Sequence, residues 1–422
     1  MRNIHLNQSS DAAAEQRPGA VGGWTLAPAL ILAGSLLACG GEAVQNPVAE
    51  PDSDSVSALE PEELTVEAFT PPGAYGQRIQ ADFNRDGKTD LLIVTASGSY
   101  VYLARGNGQF QPNVYVRHDL PLGKVQYTLG DFDGDGRTDL LIVTASGSYE
   151  YLAVGNGQFR PDVYVRHDLP LGNVQYVPGD FNGDGKTDLI IITASGSYEY
   201  LATGNGQFQP NVYVRPDLPL GRVRYVPGDF NGDGRTDLLI VTTRGSFEYL
   251  AIGNGQFRPD VYVRRDLPLR RVQYTTGDFN GDRKTDLLIV TTSGSYEYLA
   301  IGNGQFQPNV YVRHDLPRGS VQYTPGDFNR DGKTDLVIVT ASGSYEYLAI
   351  GNGQFQPNVY VRNDLPLGRV QYFAGDYNGD ARTDLMIVTA SGSYEYLAIG
   401  NGQFQPNVYV RNDLPLGAVA YY

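Results

Sequence analysis

The sequence predicts an all-β fold, a seven-bladed β-propeller of four-stranded blades on a 49-residue repeat. Three observations lead there. The stretch "GDFNGDGKTDL", Gly179 to Leu189, recurs with its first aspartate at Asp82, Asp131, Asp180, Asp229, Asp278, Asp327 and Asp376, always 49 residues apart. That period is the length of one propeller blade, too long for an ankyrin or tetratricopeptide unit and far longer than a β-helix rung. No 3.6-residue apolar period runs through the unit, which argues against helices, while short apolar runs alternate with Gly/Asn/Ser turn signals.

Residues 1–39 precede the repeats and read as a lipoprotein signal peptide. Leu26 to Leu37 ("LAPALILAGSLL") is an apolar run of secretory length, too short and too broken by Gly and Pro for a membrane span. It leads into "LLAC", Leu36 to Cys39, which looks like a bacterial lipobox with Cys39, the one cysteine in the chain, at the lipidated position. The alternative is an ordinary signal peptide with a chance cysteine. The n-region is long and carries Asp11 and Glu15. Residues 40–74, with Glu42, Glu50, Asp52, Asp54, Glu60, Glu62, Glu63 and Glu67 among prolines, cannot bury enough apolar surface to fold. They are expected to be a disordered tether reaching about 30 Å. The propeller then occupies 75–422.

Each unit reads as four strands. In the third, "NVQYVPGDF" (Asn173 to Phe181) leads into the acidic loop. "DLIIITA" (Asp188 to Ala194) leaves it and turns at Ser195-Gly196. "SYEYLAT" (Ser197 to Thr203) runs to Gly204-Asn205-Gly206, an Asn-Gly hairpin signal. "NVYVRPDL" (Asn211 to Leu218) completes the unit. "DLIIITA" is apolar on both faces, as expected of a strand covered by a neighbouring blade on each side. Tyr198 and Tyr200 share one face and suit packing between blades. The C-terminal "AVAYY" (Ala418 to Tyr422) restarts the unit and stops, so it is expected to pair with the first blade and close the ring. The N-terminal copy "YGQRIQA" (Tyr75 to Ala81) holds Arg78 where later units hold tyrosine.

The loop sets oxygen donors at positions 1, 3, 5 and 9, with the backbone carbonyl of position 7 as a fifth. Hard oxygens on a flexible loop suit calcium, which takes 6–8 of them, better than magnesium with its strict octahedron. The candidate ligands are Asp82, Asn84, Asp86, Lys88 and Asp90 in unit 1, and Asp131, Asp133, Asp135, Arg137 and Asp139 in unit 2. Unit 3 has Asp180, Asn182, Asp184, Lys186 and Asp188; unit 4 has Asp229, Asn231, Asp233, Arg235 and Asp237. Unit 5 has Asp278, Asn280, Asp282, Lys284 and Asp286; unit 6 has Asp327, Asn329, Asp331, Lys333 and Asp335; unit 7 has Asp376, Asn378, Asp380, Arg382 and Asp384. The Lys and Arg residues enter only through their carbonyls. The pattern is the first half of an EF-hand loop without the second, since position 12 of the third copy is Ile191 and a strand follows. An Asp/Asn/Gly turn without metal is the bland alternative. Charge favours calcium: 22 of the 47 acidic residues sit in these loops, and seven Ca²⁺ would bring the net charge from −15 to about −1. Position 6 is glycine except for Arg283 and Ala381, where weaker binding is expected if φ is positive.

"GDFNGDGKTDLIII" followed by "YLATGNGQF" resembles the FG-GAP/VCBS repeat family, the integrin-α-type propeller, over about Gly76 to Tyr422. The Phe-Gly and Gly-Ala-Pro tripeptides that name the family are absent, which places the chain nearer the bacterial VCBS branch. The resemblance implies structural calcium in the hairpin between the first two strands of a blade, with partners bound elsewhere.

A net charge of −15 argues against nucleic acid. No enzymatic activity is expected. His118, His167 and His314 align with Pro216, Arg265, Asn363 and Asn412 in other units, and a position tolerant of such changes is no general base. There is no nucleophile elbow and no phosphate loop. Each unit repeats Arg-x-Asp-Leu-Pro: Arg117/Asp119, Arg166/Asp168, Arg215/Asp217, Arg264/Asp266, Arg313/Asp315, Arg362/Asp364 and Arg411/Asp413. Beside tyrosines, such pairs could grip sugar hydroxyls; they could equally latch one blade to the next. Repeated weak sites gain avidity of about 10²–10⁴ on a multivalent partner. The expectation is an exported, lipid-anchored, calcium-stabilised binding or adhesion protein of the bacterial outer membrane. Carbohydrate is the first ligand class, with a surface protein–protein scaffold as the alternative.

Overall fold

The computed structural model describes residues 76–95, 98–111, 115–117, 125–144, 147–160, 164–166, 174–193, 196–209, 213–215, 223–242, 245–258, 262–264, 273–291, 294–307, 311–313, 322–340, 343–356, 360–362, 371–388, 393–405, 409–411 and 419–421. The expected signal peptide, Cys39, the tether, the three repeat histidines and the aspartates of the Arg-x-Asp pairs lie outside the described residues. The described residues contain strands and no helix. They fall in seven sheets, one per repeat.

The third unit shows the pattern. Gln175–Gly179 pairs antiparallel with Asp188–Thr193 in the register Ile191↔Tyr176. Asp188–Thr193 pairs with Gly196–Tyr200 through Ile190↔Glu199, and a three-residue segment, Tyr213–Arg215, pairs outside it. The first and third strands are shorter than expected from sequence. Asp180 and Phe181 belong to the loop, and beyond Tyr200 only the single bridge Ala202↔Phe208 remains, straddling the Gly-Asn-Gly turn. The C-terminal Val419–Tyr421 pairs in parallel with Gly76–Ala81, in the register Gly76↔Val419.

The core lies between sheets. Five of the six residues in Asp188–Thr193 are buried, because neighbours cover both faces. Leu189, Ile191, Tyr176 and Tyr200 pack with Phe132, Leu141 and Val143 of unit 2, while Ile190 and Ile192 pack with Leu238 and Ile240 of unit 4. Tyr198 is half-buried on the unit 2 side. An edge-to-face ring pair joins each junction, as Phe132 joins Phe208 with centroids 5.6 Å apart. Units 1 and 7 share such a junction: Leu91, Ile93, Tyr102 and Phe110 pack with Tyr377, Met386, Val388 and Leu397.

Candidate metal centre

The acidic loop folds around its own first carboxylate. In unit 3, Asp180 Oδ1 accepts the N–H groups of Gly183 (2.7 Å) and Asp184 (3.1 Å), and Oδ2 accepts that of Gly185 (2.8 Å). Asn182 Oδ1 takes the Asp184 N–H at 2.8 Å, and Asp184 Oδ1 takes that of Lys186 at 3.0 Å. These side chain-to-backbone bonds hold positions 1, 3 and 5 on the inside of one tight turn. The turn needs positive φ at positions 4 and 6, where Gly183 and Gly185 have 80° and 82°. Position 6 is Arg283 in unit 5 and Ala381 in unit 7, with φ of 65° and 64°. Position 4 is strained likewise at Arg85 and Arg330, φ 60° and 63°, a departure that attention to position 6 alone overlooks.

Position 9 is set apart. Asp188 is fully buried; its Oδ2 accepts from Phe181 N at 3.1 Å and its Oδ1 from Ala202 N at 2.8 Å, so it staples the loop to the Gly-Asn-Gly hairpin. Burial pushes its carboxyl up to about 7 against the two backbone bonds, and neighbouring Asp184 and Asp180 push the same way. Asp90, Asp139, Asp237, Asp286, Asp335 and Asp384 are buried likewise and raised to about 7. Asp180 Oδ1 already accepts two N–H groups, but Asp180 Oδ2 and both Asp188 oxygens accept one each and keep a lone pair, so the bonds do not exhaust the donor capacity. In unit 2, oxygens of Asp131, Asp133 and Asp139 all lie within 4.8 Å of one another, a spacing that one cation could bridge. Asp133 is unusual, since the other units hold Asn there; burial raises its carboxyl. The donor set is therefore compatible with a hard divalent cation.

The side chain at position 7 turns back on position 5. Lys186 Nζ lies 2.7 Å from Asp184 Oδ2, and every unit repeats such a pair. Burial is the largest single influence on Asp184 and would raise it, but the hydrogen bonds from the Lys186 ammonium, the Lys186 N–H and the Asn182 side chain, with the Lys186 charge, together hold the carboxyl below the usual range. The Lys186 stem lies along neighbouring loops: a Cβ on Gly134 would come within 3.1 Å of its Cγ, and one on Gly204 within 2.8 Å of its Cε.

Two features escape a reading of the sequence. A latch links successive loops: Thr187 N donates to Asp131 O at 2.7 Å, and Asp131 N donates to Thr187 Oγ1 at 3.0 Å. Thr89 makes the same pair of bonds to Asp376, joining unit 1 to unit 7. Glycine before the loop gives the latch threonine its room, because a Cβ on Gly130 would stand 2.5 Å from Thr187 Cγ2. Unit 1 has Ala81 there, and Thr138 N still reaches Asp82 O, at 2.9 Å. Second, Glu150, Glu199, Glu248, Glu297, Glu346 and Glu395 are buried between sheets, each 1–3% exposed. Burial first, and the negative position-9 aspartate second, push Glu199 up to about 8 and Glu297 to about 9. Unit 1 holds Val101 at this place.

No curated protein sequence matches the chain. Among solved structures, a lectin from Agrocybe aegerita that recognises non-reducing terminal N-acetylglucosamine superposes with a TM-score of 0.65. It is 20% identical, over 81% of this chain and 92% of the lectin, a likeness that speaks to the fold alone. The Tc holotoxin pore of Photorhabdus luminescens aligns over 76% of this chain and 17% of its own, at 17% identity and a TM-score of 0.47, too low to argue from. The family model described as "FG-GAP-like repeat" matches residues 82–142, 131–191, 180–240, 278–338 and 327–387, well over half of the chain. With its acidic loop repeated between paired strands in unit after unit, this chain belongs to the FG-GAP-like repeat family.

Proposed function

We propose that this protein is a calcium-stabilised, non-catalytic binding or adhesion protein, a closed seven-bladed propeller of four-stranded blades whose repeated surface engages glycans. It is exported and anchored through a lipidated Cys39. The observation that carries the reading is the sevenfold recurrence of one oxygen-rich loop at the same place between paired strands. A turn needs no more than Asn-Gly; setting three or four carboxylates in each of seven turns makes sense where a cation offsets their repulsion. Calcium at each loop would stabilise by binding the folded state alone, about 2.7 kcal/mol per site at a hundredfold excess over Kd. The lectin likeness supports glycan as the ligand class. Ring closure is supported by Val419–Tyr421 on the first sheet and by the Thr89–Asp376 latch.

One observation favours a protein partner instead. Ile252, Ile301, Ile350 and Ile399 are 40–43% exposed, just before the Gly-Asn-Gly turns of units 4 to 7. Units 1 to 3 hold Arg105, Val154 and Thr203 at that place, so the surface is not the same in every unit. Unequal units suit a single large partner better than a small repeated ligand.

A glycan array probed with the protein in millimolar calcium, and again in EDTA, separates the readings. Calcium-dependent binding to a defined set of sugars is expected. A blank array from folded, calcium-loaded protein would reject the glycan reading and leave the scaffold. Melting curves in the two buffers test calcium separately: EDTA should lower the midpoint by more than 10 °C for several vacated sites. Superimposable curves would remove calcium from the account.

A further inference from the structure

Five of the seven junctions between units follow one recipe, in which a glutamate from one sheet enters a layer holding a tyrosine of the next; the junctions of units 1 and 2 and of units 7 and 1 depart from it. Glu199 stands opposite Ile190 in its sheet and so shares the face that packs on Tyr225 of unit 4. The junction of units 1 and 2 replaces the glutamate by Val101, opposite Leu92 and packed in the layer with Tyr127. At the junction of units 7 and 1 the tyrosine is replaced instead: Arg78, with 1% exposure, stands opposite Ile93, on the face that packs against unit 7. Glu395, with 3% exposure, stands opposite Met386, on the face of unit 7 that enters the same layer. Among the described residues, neither carboxylate oxygen of Glu150, Glu248, Glu297 or Glu346 has a hydrogen-bond partner, whereas Arg78 and Glu395 are both engaged, with Arg78 Nε and Nη1 and Glu395 Oε2 left outside that engagement. A second polar contact sits in this layer, where the Gln80 amide donates to the hydroxyl of Tyr377, the one unit whose loop has tyrosine in place of phenylalanine.

We propose that Arg78 and Glu395 form a buried ion pair that ties the first unit to the seventh. This is the junction that no run of consecutive chain spans, so its strength rests on side chains and the Val419–Tyr421 strand. A buried arginine left without an anion is strongly unfavourable, so the pair makes the junction intolerant of partial opening. The inference rests on units 1 and 7 packing together and is independent of the ligand and of calcium.

The chain contains its own replacements, since Val101 shows that valine fits the glutamate position and Tyr176 that tyrosine fits the arginine position. Glu395→Val strands Arg78 and should lower the melting midpoint of the full-length protein by roughly 5–10 °C. Glu199→Val, the same change at an ordinary junction, should leave the midpoint unchanged or raise it. Adding Arg78→Tyr to Glu395→Val should recover most of the loss. Equal shifts for Glu395→Val and Glu199→Val, or a double variant no more stable than Glu395→Val alone, would overturn the pairing. If Glu395→Val fails to fold, folding of the double variant still supports the pair, and failure of both while Arg78→Tyr folds rejects it.

Discussion

At Arg283 and Ala381 a side chain occupies a left-handed backbone position that glycine fills in the other loops. The bond pattern is unchanged: Arg283 N and Ala381 N each reach the first carboxylate at 2.8 Å, as Gly185 N does. The substitution is therefore felt as backbone strain of about 1–2 kcal/mol, not as a different loop shape. Arg283→Gly relieves that strain but loosens the unfolded chain, so a net gain of up to about 1 kcal/mol in denaturant unfolding is expected. Arg85, strained in the same sense at position 4, donates from Nη1 to Asp135 O in the next loop at 2.6 Å. Removing it loses a bond worth about 1 kcal/mol, so Arg85→Gly should gain nothing. Equal gains at the two positions would show that the inter-loop bond contributes nothing to stability.

Strand by strand, the buried glutamates are the groups most sensitive to pH. Glu199, raised to about 8 in the fold and near 4.3 when unfolded, binds its proton more tightly in the native state. Its stabilising contribution is complete below about pH 4.3 and is lost as pH rises through about 8. The melting midpoint in calcium-free buffer should therefore fall between pH 5 and 9, with the other glutamates adding to the slope. Glu199→Gln should make that fall shallower and raise the midpoint at pH 9; an unchanged pH profile would mean the carboxylate is hydrated in solution. These glutamates also mark the limit of what the sequence makes legible. Local pattern located the strands, since Asp188–Thr193 needs only its apolar run and the adjoining loop to be recognised. It overextended the strands on either side, because Phe181 and Leu201 are apolar yet serve the loop and the hairpin. It could not expose Glu199 as buried, since "SYEY" alternates like a strand with one wet face, and the cover comes from the next unit. The Thr187–Asp131 latch spans 56 residues, beyond any local signal.

Over the whole molecule, the core clusters of the described residues join each unit to its neighbours in the repeat order, and one joins units 1 and 7. In an open stack of this kind stability is a sum of unit and junction energies, and the ends fray first. If the contacts of units 1 and 7 persist in solution, there is no end to fray, and a defect should cost the same wherever it falls. The ring pairs allow a direct comparison. Phe230 meets Phe306 at 5.5 Å in the middle of the chain, and Phe83 meets Phe159 at 5.5 Å next to its beginning; both Phe230 and Phe83 are buried. Phe→Ala at either should cost about 3–5 kcal/mol. In a closed ring the two variants should lose similar stability and unfold in one transition. In an open stack, Phe83→Ala should instead free unit 1 as a separate early step, seen as fast hydrogen exchange across Asp90–Thr95 while Asp237–Thr242 stays protected. Matching exchange in the two variants supports closure, and selective loss at Asp90–Thr95 rejects it.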